Sequence, residues 1–444
     1  MKNTVVLFGI LFCLVVSASD SFPQARVLSL EESLDIAIGA STTVGIYRER
    51  LQTSRQDVLA NHGRFLPNFN MSFYAGHTFI GPTSSIFTDA QGRQILQTGF
   101  DYENYNFQIN SQMTLFDWGA SFKYLNSAKR GSEAAEFDLQ YQKDIVTAQV
   151  IRAYYDVVRK KNLKDVQEEA VEAAERNLDQ VEAFFRIGSN TKADVLQAKV
   201  RLGNTQLALI TAKNSEELAK ATLASLLNLP MGEDFDVDPS LEITKVDPNL
   251  DDEVEYMLSH RSDLLASRKR VAAAKDSQTA EENNRWPSIG GGLTYSWSDR
   301  AYPDNSNFFR NEYSWGLGVQ LSWNIFDRFQ TKSNIQRAKA QRRIAEQELK
   351  QAKLDAILEV RQLYTILREA EERIRVTEET VAQATENVRL AAERYRVGAG
   401  TQLETIESAA TLQEAQGNLV EAKCDYLIAK ADLLRAAGRP VKAD

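Results

Sequence analysis

Cysteine is almost absent. Of the 2 cysteines in 444 residues, Cys13 falls at the very start of the chain and leaves Cys424 alone. No disulfide can form within the remainder, so packing or assembly must hold it together, and Cys424 reads as a small core residue. Histidine is nearly as scarce: the 3 residues His62, His77 and His260 are scattered, and no paired cysteines, phosphate-cradling glycine loop or nucleophile elbow accompanies them. These absences argue against an enzyme and point to no cofactor and no metal. Basic charge is in deficit, with 52 Lys and Arg against 61 Asp and Glu. No dense basic block with interleaved aromatics occurs, which argues against nucleic acid as a partner.

Long hydrophobic runs are missing as well, with one exception. The opening MKNTVVLFGILFCLVVSASDS has an early lysine, an apolar run from Val5 to Val16 and small residues at Ser17 to Ser19. That is the pattern of an export signal, over residues 1–19. The run falls short of the ~20 residues that a spanning helix needs, and Phe12 before Cys13 is too bulky for a typical lipoprotein cleavage site.

What the chain does have is an internal repeat. AFFRIGSNTKADVLQAKVRLGNTQ, from Ala183, is matched by ERYRVGAGTQLETIESAATLQEAQ, from Glu393. At one constant offset Arg186 matches Arg396, Gly188 matches Gly398, Thr191 matches Thr401, Asp194 matches Glu404 and Pro230 matches Pro440. The chain therefore divides into a first repeat over 20–229, a linker over 230–250, a second repeat over 251–438 and a tail over 439–444.

Each repeat contains two stretches of period-two alternation, at 65–79 and 104–116 and at 287–298 and 312–326. In the last, Tyr313, Trp315, Leu317, Val319, Leu321, Trp323 and Ile325 oppose Ser314, Gly316, Gly318, Gln320, Ser322 and Asn324, which is strand patterning. All four are close to the ~10 residues of a membrane strand. A soluble sandwich with one wet face has the same alternation. The aromatic-rich apolar faces and nearly uncharged small polar faces favour a wall with lipid on one side and a lumen on the other. Four strands leave two open edges, which lipid does not tolerate. Two or three copies would close a barrel.

After the second and fourth strands, proline-free helical sequence runs from Ala120 to Arg186 and from Gln330 to Arg396. Shorter helices are predicted at 32–62 and 190–228 and at 251–284 and 400–437. Two short helices laid end to end match one long one, at roughly 100 Å, so each chain can supply four helix-wide strips of a cylinder with the acidic linker as a belt midway. A heptad seam runs through Val360, Leu363, Leu367, Ala370, Ile374, Thr377, Val381, Ala384, Val388, Ala391 and Tyr395. Its expected partner is Ile406, Ala410, Gln413, Gly417, Val420, Cys424, Leu427, Ala431 and Leu434. In the first repeat the equivalent seam is interrupted by Lys160, Lys164 and Gln167.

The RIGSNTKADVLQA and RVGAGTQLETIES copies, the LFDWG and NIFD strand exits, Pro67 and Pro287 ahead of the strands, and the duplication together resemble the outer-membrane efflux protein family, best known through TolC. The resemblance covers nearly the whole chain beyond the signal. It implies a mostly α fold with a transmembrane β-barrel: a homotrimer whose long antiparallel coiled-coil helices form an α-barrel in the periplasm, under a 12-stranded barrel in outer-membrane lipid. It also implies passive export from a Gram-negative cell, with a periplasmic adaptor and an inner-membrane pump as partners. By the same resemblance Gly188 and Gly398 turn paired helices at the periplasmic tip. Arg186, Ile187, Thr191, Arg396, Val397 and Thr401 then belong to an adaptor-docking rim. The family's aperture acids fall on Glu404 and Glu407, with Asp194 in the first copy. The competing reading is a periplasmic structural or adaptor coiled coil with a small soluble β domain.

Overall fold

The computed structural model describes residues 26–82, 86–88, 90–96, 99–230, 235–300 and 312–440; the expected export signal lies outside them. A short strand β1 (Arg26–Leu28) leads into helices α1 (Leu30–Ala40) and α2 (Thr42–His62), then strand β2 (Asn68–Ile80). A small hairpin, β3 (Ile86–Thr88) and β4 (Gln94–Leu96), precedes strand β5 (Phe100–Phe116), helices α3 (Ala120–Arg186) and α4 (Lys192–Leu227) and strand β6 (Phe235–Val237). The second repeat follows as α5 (Leu250–His260), α6 (Ser262–Asn283), β7 (Ser288–Asp299), β8 (Tyr313–Ser322), α7 (Gln330–Arg396) and α8 (Gln402–Ala436).

The long strands form one antiparallel sheet in the order β2-β5-β7-β8. Its register aligns the alternation of all four. Met71 pairs with Ile109, Ile109 with Tyr295 and Tyr295 with Trp315, while Ser72, Gln108, Ser296 and Ser314 make the next row. Successive residues of a strand face opposite sides, so one face is mainly aromatic and aliphatic, with His77, Asp101 and Glu103 at one end, and the other is mainly Asn, Gln, Ser, Thr and Gly, with Tyr74 and Tyr102 among them. A bulge between Thr114 and Phe116 leaves Leu115 unpaired and brings Phe116, one step later, opposite Ile289. β2 and β8 are left as edges.

Both 67-residue helices, α3 and α7, start from the same device. The Asp117 carboxylate accepts the N–H groups of Gly119 at 3.1 Å and Ser121 at 2.8 Å, and Asp327 accepts that of Thr331 at 2.7 Å. Each acid thus satisfies amides that a helix start leaves open. α3 packs on α2 and α4, and also on α6 and α8, which in turn pack on α7. The wall therefore runs α2 with α4, then α3, then α6 with α8, then α7. No helix of the described residues is long and apolar enough to cross a membrane.

Two predicted helices are each split in two. Residues 32–62 break at Ser41, whose hydroxyl accepts the Val44 N–H at 3.3 Å and caps α2. Residues 251–284 break at Arg261, which is 5% exposed. Its guanidinium reaches Asp263 at 2.9 Å, Glu359 of α7 at 2.6 Å and the Ala436 carbonyl of α8 at 3.2 Å. Burying that charge requires all three partners, so the tertiary neighbourhood sets the break. At the same level β1 and β6 pair in parallel, tying the linker to the chain start as a belt. Leu223 and Leu227 are fully buried beneath it in a cluster with Leu28, Ile151, Tyr154 and Val157, each leucine worth about 1.5–3 kcal/mol.

The seam on α7 is as expected at Val360, Leu367, Ala370, Ile374, Ala384, Ala391 and Tyr395, all buried. On α8 the buried line differs from the expected one. Cys424, Leu427 and Ala431 are buried, but the most regular line is Ser408, Ala415, Ala422, Ala429 and Ala436. The helix is packed on both α3 and α7, and these small side chains let it sit between two neighbours. The interrupted seam of α3 has a similar cause. Lys164 faces α4, where its ammonium meets Glu216 at 3.0 Å, and Gln167 accepts from the Gln413 amide of α8 at 2.8 Å.

Candidate functional site

α3 and α7 each end in a left-handed glycine, Gly188 at φ +84° and Gly398 at φ +74°. No other residue adopts that conformation as cheaply. The Gly188 N–H donates to the Phe185 carbonyl at 3.0 Å and the Ser189 N–H to that of Phe184 at 2.9 Å. In the second copy Gly398 donates to Tyr395 at 3.1 Å and Ala399 to Arg394 at 2.8 Å. Both ends thereby satisfy carbonyls that a helix terminus leaves open.

The next helices start differently in the two copies. Before α4, the Thr191 hydroxyl accepts the Asp194 N–H at 3.2 Å while the Asp194 carboxylate accepts the Thr191 N–H at 2.8 Å, a complete capping box. Before α8, Thr401 accepts the Glu404 N–H at 3.2 Å, but the Glu404 carboxylate takes the guanidinium of Arg394 at 2.9 Å. Glu407 is exposed one turn further on. Of the three acids expected at an aperture, Asp194 caps its helix and Glu404 is ion-paired, both half-buried.

The expected rim residues Arg186, Ile187, Gly188, Thr191, Arg396, Val397, Gly398 and Thr401 are all exposed. Ile187 is 74% and Val397 68% exposed, an apolar pair at matching positions of two adjacent turns. Arg396 is held by Glu393 at 2.8 Å.

The two turns are bolted together by Asn190 and Gln402, which the sequence reading passed over, and by Tyr395, which it placed only in the α7 seam. The Asn190 amide donates to the Tyr395 hydroxyl at 2.7 Å, and the Tyr395 ring packs on Phe184 with centroids 5.8 Å apart. The Gln402 amide, in a side chain 6% exposed, donates to the Asp194 carbonyl at 3.1 Å. Further along, Arg201 donates to Gln413 at 3.1 Å. The signal was present in the repeat itself, since these are positions where the copies differ: Asn190 against Gly400, Tyr395 against Phe185 and Gln402 against Lys192. Gly400 has its own constraint, because a Cβ there would lie 3.1 Å from the Arg394 Cβ.

Among the described residues no cluster of His, Cys, Asp and Glu is arranged to hold a metal. The two turns thus present exposed apolar caps, Ile187 and Val397, joined by polar contacts between Asn190 and Tyr395 and between Gln402 and Asp194.

The family model described as outer membrane efflux protein matches residues 47–229 and 254–439. The chain is similar to the alkaline protease secretion protein AprF of Pseudomonas aeruginosa, 23% identical over 330 residues, which is 73% of this chain and 66% of that protein. The fold is similar to that of the outer-membrane channel OprN, with a TM-score of 0.79 at 20% identity over 93% of this chain and 90% of that one. It is likewise similar to the CmeC outer membrane channel of Campylobacter jejuni, with a TM-score of 0.79 at 16% identity over 92% and 85%. The two matched segments cover most of each repeat, sheet strands and tip turns included, and the chain accordingly belongs to the outer membrane efflux protein family, with its place in the outer membrane of a Gram-negative cell and its helices in the periplasm.

Proposed function

We propose that three copies of this chain form the exit duct of a tripartite efflux or type I secretion system. The duct conducts substrate passively from a periplasmic adaptor and inner-membrane pump to the exterior. The observation that carries this reading is the open protomer. The sheet ends in the unpaired edges β2 and β8, and the helical wall ends in α2 and α4 on one side and α7 on the other. Both helical edges leave large apolar side chains exposed, such as Val200, Leu207 and Ile210 on α4 and Leu354 and Leu358 on α7. The two edges are unlike, so copies join head to tail and close as a ring. In lipid that closure must be complete. Three copies of four strands make twelve, the count that the family resemblance implies. The name of AprF speaks of protease secretion and those of OprN and CmeC of channels, which supports export as the activity.

In this reading Ile187 and Val397, with the neighbouring Arg186, Gly188, Thr191, Arg396, Gly398 and Thr401, form the rim that the adaptor grips. Glu404, Glu407 and Asp194 narrow the aperture, and the duct opens when the α7–α8 pair moves against α3 and α4. The test is site-directed crosslinking in cells from Ser189→Cys. The expected product joins the chain to a periplasmic adaptor, and a trimer is expected in mild detergent. Monomers or dimers in detergent, or crosslinks only between copies of this chain, would refute the assignment.

A further inference from the structure

Where the sheet meets the helices, the sequence sets down a collar of aromatic and basic residues. Phe116 pairs with Ile289, and Ile289 with Leu321, so Phe116 belongs to the apolar face of the sheet. Trp118 packs edge-on against Phe116 at 5.3 Å and lies 5.8 Å from Trp286. The Trp118 indole N–H donates to the Pro287 carbonyl at 2.9 Å, and that of Trp323 to the Arg285 carbonyl at 3.2 Å. With those N–H groups satisfied by the backbone, the rings are fixed in orientation. Trp118, Trp286 and Trp323 nonetheless stay about half exposed, at 49%, 51% and 54%.

The two strand exits also share a backbone conformation that costs free energy. Trp118 and Gly119 lie at φ +57° and +79°, and Arg328 and Phe329, at the matching positions, at +57° and +66°. Glycine is the residue this region favours, yet the second copy places an arginine and a phenylalanine there, both exposed. Backbone held in a sparsely populated region is a pointer to function. Here it displays Arg328 and Phe329 next to the lipid-facing strands.

The collar carries both signs of charge, but its carboxylates are engaged by the protein itself. Asp117 and Asp327 are turned to helix amides, Glu281 to the Tyr124 hydroxyl at 2.7 Å and Glu282 to Lys339 at 3.3 Å. Arg64 lies over the Tyr124 ring at 4.4 Å, and Arg285 donates to the Glu282 carbonyl at 2.8 Å. The Arg285 charge also favours the ionised form of the Glu282 carboxyl, while Arg64 donates to the Asn61 side-chain oxygen at 3.1 Å; Arg64, Arg285 and Arg328 are all exposed.

We propose that this collar recognises the phosphate groups of anionic phospholipid in the periplasmic leaflet. Arg64, Arg285 and Arg328 meet phosphate, and the three indoles seat at the boundary between headgroups and acyl chains, where tryptophan is favoured. Phospholipid rather than lipid A is the occupant, because the collar adjoins the periplasmic helices and lipid A lies in the opposite leaflet. The proposal rests on the strands sitting in the membrane and does not depend on what the duct exports.

The test uses the full-length protein in vesicles and reads tryptophan quenching by brominated lipids. Brominated phosphatidylcholine reports membrane seating, and brominated phosphatidylglycerol at low mole fraction reports local enrichment. Wild-type protein is expected to enrich phosphatidylglycerol about threefold or more at low salt. The combined Arg64→Gln, Arg285→Gln and Arg328→Gln variant is expected to lose that enrichment while phosphatidylcholine quenches it as before. Arg328→Gly alone, at a position whose backbone suits glycine, is expected to lose part of it. Equal quenching of the wild type by the two lipids overturns the proposal, as does enrichment that survives the triple substitution or a preference for lipid A over phosphatidylglycerol. Loss of phosphatidylcholine quenching in the wild type would instead refute the membrane seat itself.

Discussion

If the duct opens by separating the two tip turns, the Tyr395 hydroxyl is the lightest possible handle on the gate. Tyr395 is 9% exposed, accepts from Asn190 at 2.7 Å and packs at a tilt against Phe184. Tyr395→Phe deletes one oxygen and keeps the ring in place. A single such hydrogen bond contributes about 1 kcal/mol. In a ring of three chains that open together the loss is about 3 kcal/mol, so the ratio of closed to open channels falls roughly 100-fold. If the chains open independently, each changes only about fivefold. The assay is open probability of the full-length protein in planar bilayers, with trimer content checked beforehand. Trimeric Tyr395→Phe channels that stay as closed as wild type would show that the turns do not hold the gate. An intermediate effect would measure how far the chains move as one.

Replacing Glu404 and Glu407 together with alanine should raise single-channel conductance, and unchanged conductance would remove them from the aperture. Gly398→Pro should abolish pump-dependent export with trimers intact, because it forbids the observed φ of +74°; loss of trimers would make that glycine structural only. Glu216 is 5% exposed between Lys164 and Lys220. Burial alone would raise its pKa, but hydrogen bonds and charge from the two lysines outweigh it and hold the carboxyl below its ordinary value. A depressed folded-state pKa stabilises above the unfolded value and is lost as pH falls through the folded one, so melting temperature should drop below about pH 4.3. Glu216→Gln should flatten that drop and cost about 1–3 kcal/mol at neutral pH. Burial raises the Cys424 thiol to about 11, so maleimide labelling at pH 7 should require unfolding; rapid labelling of native protein would refute its core placement.

The four strands and both tip turns were legible because each is written locally, as strict alternation or as Gly and Thr at matching places in two copies. The breaks at Ser41 and Arg261 were harder. Ser41 is a good cap, but nothing nearby forbids a continuous helix, and Arg261 turns the chain only because Glu359 and Ala436 stand ready to receive it. Pairing of β1 with β6 was hidden because three residues are too few to alternate. On α8 a seam drawn for one partner missed the line that serves two. At the tip, the reading went to positions matched between the copies, whereas the coupling of the turns depends on Asn190 and Gln402, which replace Gly400 and Lys192 of the other copy, and on the hydroxyl that Tyr395 has and Phe185 lacks.

The equality of α3 and α7, at 67 residues each, restricts how such a chain can change. One residue inserted into either helix lengthens it by about 1.5 Å and rotates everything beyond by about 100°. That rotation would carry Tyr395 away from Asn190 and strip the small-residue line of α8 from its two neighbours. A tube of another length is therefore reached only by steps of whole heptads taken in both repeats, with compensating changes in α4 and α8. The duplication works as a matched pair of rulers, and drift in one is corrected by the other or ends in a chain that cannot close its ring.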